Sequence, residues 1–311
     1  MQELSGLTAT LAALPTTPAA SPPQTAKPIR IGIIGAENSH TVGYGQIFNR
    51  DRKFPGCEVI GVWGETPEFA RVAAEKGYIP LIVKDPAEFH GKIDALIVDH
   101  RHAKYHLEAA RPFVEAGIPT FIDKPFCYRV SEGRPFLAMA RAKKTPIGSF
   151  STSARGPAIN DLRDQFKALT GPQHIVSSGH CDVASPYGGV FFYGVHQVQR
   201  LMAVCGENVV RARVAQKEGD ASATLVFASG LQATLILSKG RPPFELAVVT
   251  DKGLQKLESK VADDPLSPYS EVVQLFRDGK EPRSHESLLK EVAILEAMER
   301  SVTSDRWETV E

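Results

Sequence analysis

From residue 28 onward the chain alternates short apolar runs with segments of helical period. Ile29 to Gly35 is nearly continuous in apolar residues and ends in glycine, the pattern of a strand buried on both faces of a parallel sheet. Further strands are expected at 58–63, 79–83, 94–98, 120–122 and 146–150. Helices are expected at 42–49, 67–76, 103–116 and 132–143, with a short one opened by Asp85-Pro86. Gly77 and Gly117 stand where two of these helices would stop. Six strands separated by helices predict a Rossmann-type, doubly wound parallel sheet over residues 28–150.

After Ser151 the period changes. Residues 157–169 and 194–204 read as amphipathic helices, and 209–215, 222–227, 231–237 and 244–249 as strands. Ala228-Ser229-Gly230 and Asp251-Lys252-Gly253 supply turn residues. A last helix covers 286–301, with Leu289, Val292, Ala293, Leu295 and Met298 at helical spacing. Residues 151–311 are therefore expected to form an α+β domain with a largely antiparallel sheet and helices on one face. Leu225, Phe227, Leu235 and Leu237 share one alternation phase, while Thr224, Val226, Thr234 and Ile236 share the other. Both faces are apolar enough to need cover, one from helices and one from a second subunit, so a homodimer or homotetramer is expected.

Residues 1–27 carry neither period. Their Pro, Ala and Thr content, with Pro15, Pro18, Pro22 and Pro23 blocking a continuous helix, predicts a disordered tail. The apolar segment Leu4 to Leu14 before Pro18-Ala19-Ala20-Ser21 also resembles the end of an export signal, without the positive start such a signal needs. Both a cytoplasmic and an extracytoplasmic location stay open. The 36 basic and 36 acidic residues cancel, which removes any general attraction to nucleic acid or to an anionic membrane. No apolar run reaches transmembrane length. Cys57, Cys127, Cys181 and Cys205 are scattered without a CxxC pair, against a zinc knuckle or a disulfide framework.

Several segments carry a recognisable order. Ile31-Gly32-Ile33-Ile34-Gly35-Ala36 closes the first strand, and Asp94 to Val98 is followed by His106. Ala116-Gly117-Ile118-Pro119 leads to Asp123-Lys124-Pro125; then come Arg155-Gly156-Pro157-Ala158 and Gly188-Gly189 to Gly194-Val195-His196. In order and spacing these segments resemble the Gfo/Idh/MocA family (glucose-fructose oxidoreductase, inositol dehydrogenase, MocA) over residues 29–311. The resemblance implies an NAD(P)-dependent oxidoreductase acting on a sugar, cyclitol or sugar-acid hydroxyl. It also implies that Lys124 sits beside the nicotinamide, donating to the substrate hydroxyl, with His196 as general base. A cation at that place lowers the hydroxyl pKa and stabilises the developing alkoxide. A salt bridge to Asp123 is the plainer explanation of Lys124, and it stays open. The family also pairs subunits through the outer face of its second sheet, and in some relatives an N-terminal arm wraps a neighbour.

The chain departs from the family pattern in three places. A dinucleotide turn uses glycines for the tight turn, for close approach to the pyrophosphate and for helix packing. Here it reads Gly35-Ala36-Glu37-Asn38-Ser39-His40, with only the first glycine kept. Glu37 is unfavourable beside a pyrophosphate unless its side chain turns away. Asn38, Ser39 and the helix N-terminus either donate to phosphate or simply cap the helix. Glu65, one place past the usual ribose-binding acid, favours NAD without excluding NADP. Ala36, His40, Asp99, His100 and Asp123 complete the expected cofactor wall. The aspartates expected four residues before and three after His196 are Phe192 and Gln199. His196 is thus expected to lack its carboxylate unless Tyr193 or Asp182 compensates.

His106, Arg155, His180, Asp182, Tyr187 and Tyr193 are the expected substrate contacts. A convergence of Asp99, His100, His102, His106, His180-Cys181-Asp182 and His196 would suit a divalent metal. Their separate segments and the lack of a tight ligand spacing favour a polar carbohydrate pocket and no metal. Two other functions remain compatible with the sequence. One is a non-catalytic sugar-binding or partner subunit. The other is an enzyme that uses tightly bound NAD transiently during elimination or isomerisation.

Overall fold

In the computed structural model residues 28–311 are described, so the expectations for the tail at 1–27 lie outside the described residues. The first half runs β1 (Ile29–Ile34), α1 (Ser39–Gly45), β2 (Cys57–Trp63), α2 (Pro67–Gly77), β3 (Ala95–Val98), α3 (His106–Glu115), β4 (Thr120–Ile122), α4 (Val130–Lys143) and β5 (Ile147–Gly148). The strands form one parallel sheet in the order β2-β1-β3-β4-β5. All of β3 and β4 and most of β1 are buried, which is why their sequences read as unbroken apolar runs. The chain goes from β1 to β2 on one side and then crosses to β3 on the other. The carboxyl ends of β1 and β3 therefore flank a switch-point crevice.

Segment 79–83 is not a sixth strand. It makes a single parallel bridge, Val62 to Ile82, through Val62 N–H to Leu81 O and Val83 N–H to Val62 O. Ile79 N–H is still committed to Ala74 O at the end of α2, and Pro80 has no N–H to give, so no ladder propagates. The α2 stop also differs from expectation: Gly77 is the last helical residue, and Tyr78 takes the left-handed conformation at φ 57°.

The second half contains α5 (Pro157–Ala168), β6 (His174–His180), α6 (Gly194–Cys205), β7 (Val209–Lys217), β8 (Asp220–Phe227), β9 (Gln232–Ser238), β10 (Glu245–Thr250), β11 (Gly253–Lys256), α7 (Ser267–Asp278), α8 (His285–Ser304) and β12 (Glu308–Thr309). Its strands lie in the order β11-β10-β6-β9-β8-β7-β12. Every neighbouring pair is antiparallel except β6 with β9. Leu225, Phe227, Leu235 and Leu237 are buried, whereas Thr224, Val226 and Thr234 are half-buried and Ile236 is exposed on the opposite phase. Strands β6, β11 and β12 and helix α7 were not expected from the sequence. Helix α7 turns back to the first sheet: Val272, Val273, Leu275 and Phe276 share a core with Ile31, Ile33, Ile97 and Phe121. Among the described residues no helix is long and apolar enough to cross a membrane, and all four cysteines are free.

Candidate active site

The loops leaving β1, β2, β3 and β4 meet at the crevice. Gly35 has φ +109°, and a Cβ there would lie 2.6 Å from Asp99 C and His100 N, so only glycine lets the first loop touch the third. Beyond it the N–H groups of Ala36 and Glu37 both donate to Glu65 Oε2, at 2.9 and 3.0 Å. The other Glu65 oxygen lies 2.8 Å from His100 Nδ1. Burial would raise the Glu65 carboxyl, but the His100 bond and the Ala36 N–H outweigh it and hold it below its usual range. The Glu37 side chain turns away from the loop. It accepts from the Tyr187 hydroxyl and lies 3.8 Å from Arg101, whose guanidinium covers the Tyr187 ring at 4.2 Å.

Asn38 caps α1: its Oδ1 accepts from His40 N–H at 3.4 Å. Its Nδ2 donates to Asp99 Oδ1 at 3.0 Å and to Asp123 Oδ2 at 2.9 Å, so the cap also bridges two buried carboxyl groups. Ser39 is exposed in the first turn of α1. His40 Nδ1 is 3.2 Å from Asp123 and 3.8 Å from Asp99, and Lys124 Nζ is 3.3 Å from Asp123 Oδ2. Burial, reinforced by the Asp123 charge, pushes Asp99 well above the usual carboxylate range. Burial pulls Asp123 the same way, but Lys124 and His40 outweigh it and hold that carboxyl low. Burial alone would lower His40, yet Asp123 raises the ring above its ordinary value.

Hydrogen-bond counting agrees with a protonated Asp99. The Thr41 hydroxyl lies 2.8 Å from Gly35 O and 2.5 Å from Asp99 Oδ2. It has one proton, which satisfies the carbonyl, and Asp99 then donates to Thr41. The ligand atoms of His40, Asp99 and Asp123 lie within 4.8 Å of one another, a spacing a metal ion could bridge. Asn38 and Lys124 already supply a donor and positive charge to these carboxyl groups, and Asp99 faces the Thr41 hydroxyl.

Lys124, at the exit of β4, is only 10% exposed in its side chain, and the Lys124–Pro125 peptide is cis. His106 is fully buried, with Nδ1 2.9 Å from Pro125 O and Nε2 2.8 Å from His100 O. It ties the β3 and β4 loops together beneath Lys124 and has no free ring nitrogen for a substrate. Burial depresses its pKa to about 4.

His196 comes in from α6, and Lys124, Asp123 and His40 are all near enough to act on its charge. Burial, with Lys124 adding to it, pushes the ring well below its ordinary pKa, so it is neutral at neutral pH. Its Nδ1 lies 2.7 Å from Ser151 Oγ, and Ser151 N–H donates to Gln199 Oε1 at 2.6 Å. Gln199 thus stands where a carboxylate was expected and fixes the serine that meets the imidazole. Phe192, at the other such position, packs among Tyr187, Tyr193 and Arg101.

Neither expected compensator pairs with His196. Tyr193 contributes only its ring, with centroids 5.3 Å apart, and Asp182 accepts from Ala184 N–H at 2.9 Å. Arg155 is taken by Glu271 of α7 and by Pro282 O at 3.1 Å. His180 Nδ1 is 2.5 Å from Gly240 O, and its ring packs on Tyr193. The structure brings Asn38, His40, Asp99, Asp123, Lys124 and His196 together and engages Arg155, Asp182 and His180 elsewhere. Ser151, Gln199, Thr41 and Arg101 were missed. Only Gln199 carried a signal, because it stands at a position already singled out.

The residues of the first loop fit a dinucleotide. Two N–H groups converge on an anion, Glu37 is withdrawn, and an acid stands at the exit of β2. In the structure that anion is Glu65 itself.

Residues 29–149 match a family model described as an oxidoreductase family with an NAD-binding Rossmann fold. A search of curated proteins by sequence finds no match. Among solved structures the fold is similar to a putative myo-inositol dehydrogenase from Sinorhizobium meliloti 1021 (TM-score 0.72, 16% identity, 91% of this chain and 100% of that one). It is also similar to myo-inositol dehydrogenase from Lactobacillus casei, solved with NAD(H) and myo-inositol (TM-score 0.73, 14% identity, 91% and 97% covered). A third is the WlbA dehydrogenase from Bordetella pertussis, solved with NADH and UDP-GlcNAcA (TM-score 0.74, 13% identity, 92% and 99% covered).

Proposed function

We propose, because residues 29–149 match the model of the Gfo/Idh/MocA oxidoreductase family with its NAD-binding Rossmann fold, that the protein is an NAD-dependent oxidoreductase acting on a hydroxyl of a sugar, cyclitol or sugar acid. One observation carries the reading: a lysine held on a buried carboxylate and a neutral histidine converge at the switch point. The N–H groups of Ala36 and Glu37 would hold the dinucleotide phosphate, and Glu65 would accept from the adenosine ribose and repel a 2′-phosphate. Bound NAD supplies the hydride acceptor. Lys124 donates to the substrate oxygen and stabilises the charge that grows there, work of about 2.7–4 kcal/mol for one preorganised donor. His196 takes the hydroxyl proton at Nε2, with Nδ1 fixed by Ser151.

The test is calorimetric titration with NAD and NADP, then NADH formation over a panel of polyols and sugar acids. Reversible NAD binding tighter than NADP, with turnover lost in Lys124→Ala, is expected. Absence of binding to either dinucleotide at millimolar concentration overturns the reading. A second reading, a non-catalytic subunit, is favoured by Glu65 occupying the loop amides and by the Glu37–Tyr187 bond across the cleft. The same titration separates the two.

A further inference from the structure

The hydrogen bond from His196 does not end at Ser151. Ser151 Oγ lies 2.8 Å from Ser153 Oγ. Ser153 lines a partly open cavity of about 400 Å³ whose wall also holds Thr152, Arg200, Phe244 and Asp263. Two bonds fix this hydroxyl chain from either side: Gln199 accepts from Ser151 N–H, and Arg200 Nη1 donates to Ser153 O at 2.7 Å. No carboxylate stands within ion-pairing distance of His196 among the described residues, and an imidazolium there would be buried beside Lys124. The ring is therefore poorly suited to store the proton that it accepts.

We propose that Ser151 and Ser153 form a proton relay that carries the proton from His196 to water in the Arg200 cavity, taking over the work of the missing aspartate. The proposal rests on His196 being the base. As His196 Nε2 accepts the substrate proton, Nδ1–H passes its proton to Ser151 Oγ, Ser151 O–H passes its own to Ser153 Oγ, and Ser153 O–H gives its own to water. Each serine gains one proton and loses one and no electrons move; the histidine ends protonated at Nε2, and the chain resets when, after product leaves, Nε2 gives its proton to water and Nδ1 regains one back through the two serines. The wall that Ser153 shares carries Arg200 and Asp263, charges of opposite sign, and opens to solvent.

The experiment uses the full chain with Ser153→Ala and Ser153→Thr. In an active enzyme Ser153→Ala is expected to lower kcat by about 10²-fold, the low end of what a positioned proton-transfer group contributes. KM and NAD affinity should stay near their original values, the solvent deuterium isotope effect should grow, and Ser153→Thr should restore both kcat and the isotope effect. A Ser153→Ala enzyme with unchanged kcat and isotope effect overturns the relay. A second readout needs no turnover: exchange of the His196 Nδ1–H with solvent, followed by ¹⁵N-resolved NMR. It should slow in Ser153→Ala and recover in Ser153→Thr; an unchanged exchange rate overturns the relay. If neither dinucleotide binds but the exchange slows, the oxidoreductase reading fails while the relay stands.

Discussion

Replacing Lys124 with methionine keeps most of the apolar stem and removes the charge. Lys124 Nζ is 3.3 Å from Asp123 Oδ2, and the two side chains are 10% and 4% exposed. At an effective dielectric near 20, unit charges at that separation attract by roughly 5 kcal/mol. That figure is an upper bound, because desolvating the two ions costs several kcal/mol. Asp123 does not become unpaired in the variant: Asn38 Nδ2 stays at 2.9 Å and His40 Nδ1 at 3.2 Å. The expected destabilisation is therefore about 1–3 kcal/mol, below the 3–5 kcal/mol of a buried pair broken with no substitute. Denaturant unfolding measures it. Lys124 also lowers the pKa of both His40 and His196, so both rings should titrate higher in Lys124→Met. Histidine ring signals followed by NMR across pH read this directly, without substrate. Turnover should fall about 10²–10³-fold from the loss of one preorganised donor. Unmoved histidine midpoints would show that Lys124 does not reach this cluster, and retained turnover would remove it from the chemistry.

Asp99→Asn should be tolerated, because an amide can replace the protonated carboxyl toward Thr41 and Asn38. The Asp99 pKa is raised on folding, so its stabilising contribution is full below the unfolded value and is lost as pH rises through the folded one. Thermal melts of variant against wild type should thus favour the variant increasingly as pH rises, and a gap that shrinks instead would contradict a buried neutral acid. Glu65→Ala strips the acceptor from two loop N–H groups and should cost about 1–3 kcal/mol near neutral pH. Its pKa is depressed on folding, so this contribution is present above the unfolded value and fades as pH falls through the folded one. A difference from wild type that grows on acidification would refute the arrangement. The face of the second sheet carrying Thr224, Val226, Thr234 and the exposed Ile236 should pair two subunits. Sedimentation should show a dimer at micromolar concentration that Ile236→Lys dissociates, and a wild-type monomer would contradict it.

The parallel sheet is legible in the sequence because strands covered on both faces must be apolar throughout, as β3 and β4 are. The same criterion misreads 79–83, where Pro80 and the tail of α2 remove the donors that a ladder needs. It also passes over β6, whose buried phase is Ile175, Ser177 and Gly179, so that the alternation carries one large apolar side chain. Helix α7 was missed because its apolar residues answer a sheet more than 100 positions earlier in the chain. Lys124 and His196 were legible from motif order. The protonated state of Asp99 was not, since it arises from burial and from the charge of Asp123.

Ser151 shows most clearly what a linear reading loses. It lies 45 positions from His196, and nothing local marks it as a partner. At Phe192 and Gln199 the sequence shows two carboxylates missing, which by itself points to lost chemistry. In the folded chain Gln199 holds the backbone of the serine that replaces a carboxylate at Nδ1, and Phe192 packs with Arg101 and Tyr187 beside Glu37. A hydroxyl cannot stabilise an imidazolium as a carboxylate does, but it can both accept and donate a proton. The replacement therefore favours a histidine that passes its proton on over one that keeps it, and the depressed pKa of His196 has the same sense. Missing aspartates at this site are thus evidence for a changed route of the proton, and they are not sufficient evidence for an inactive protein.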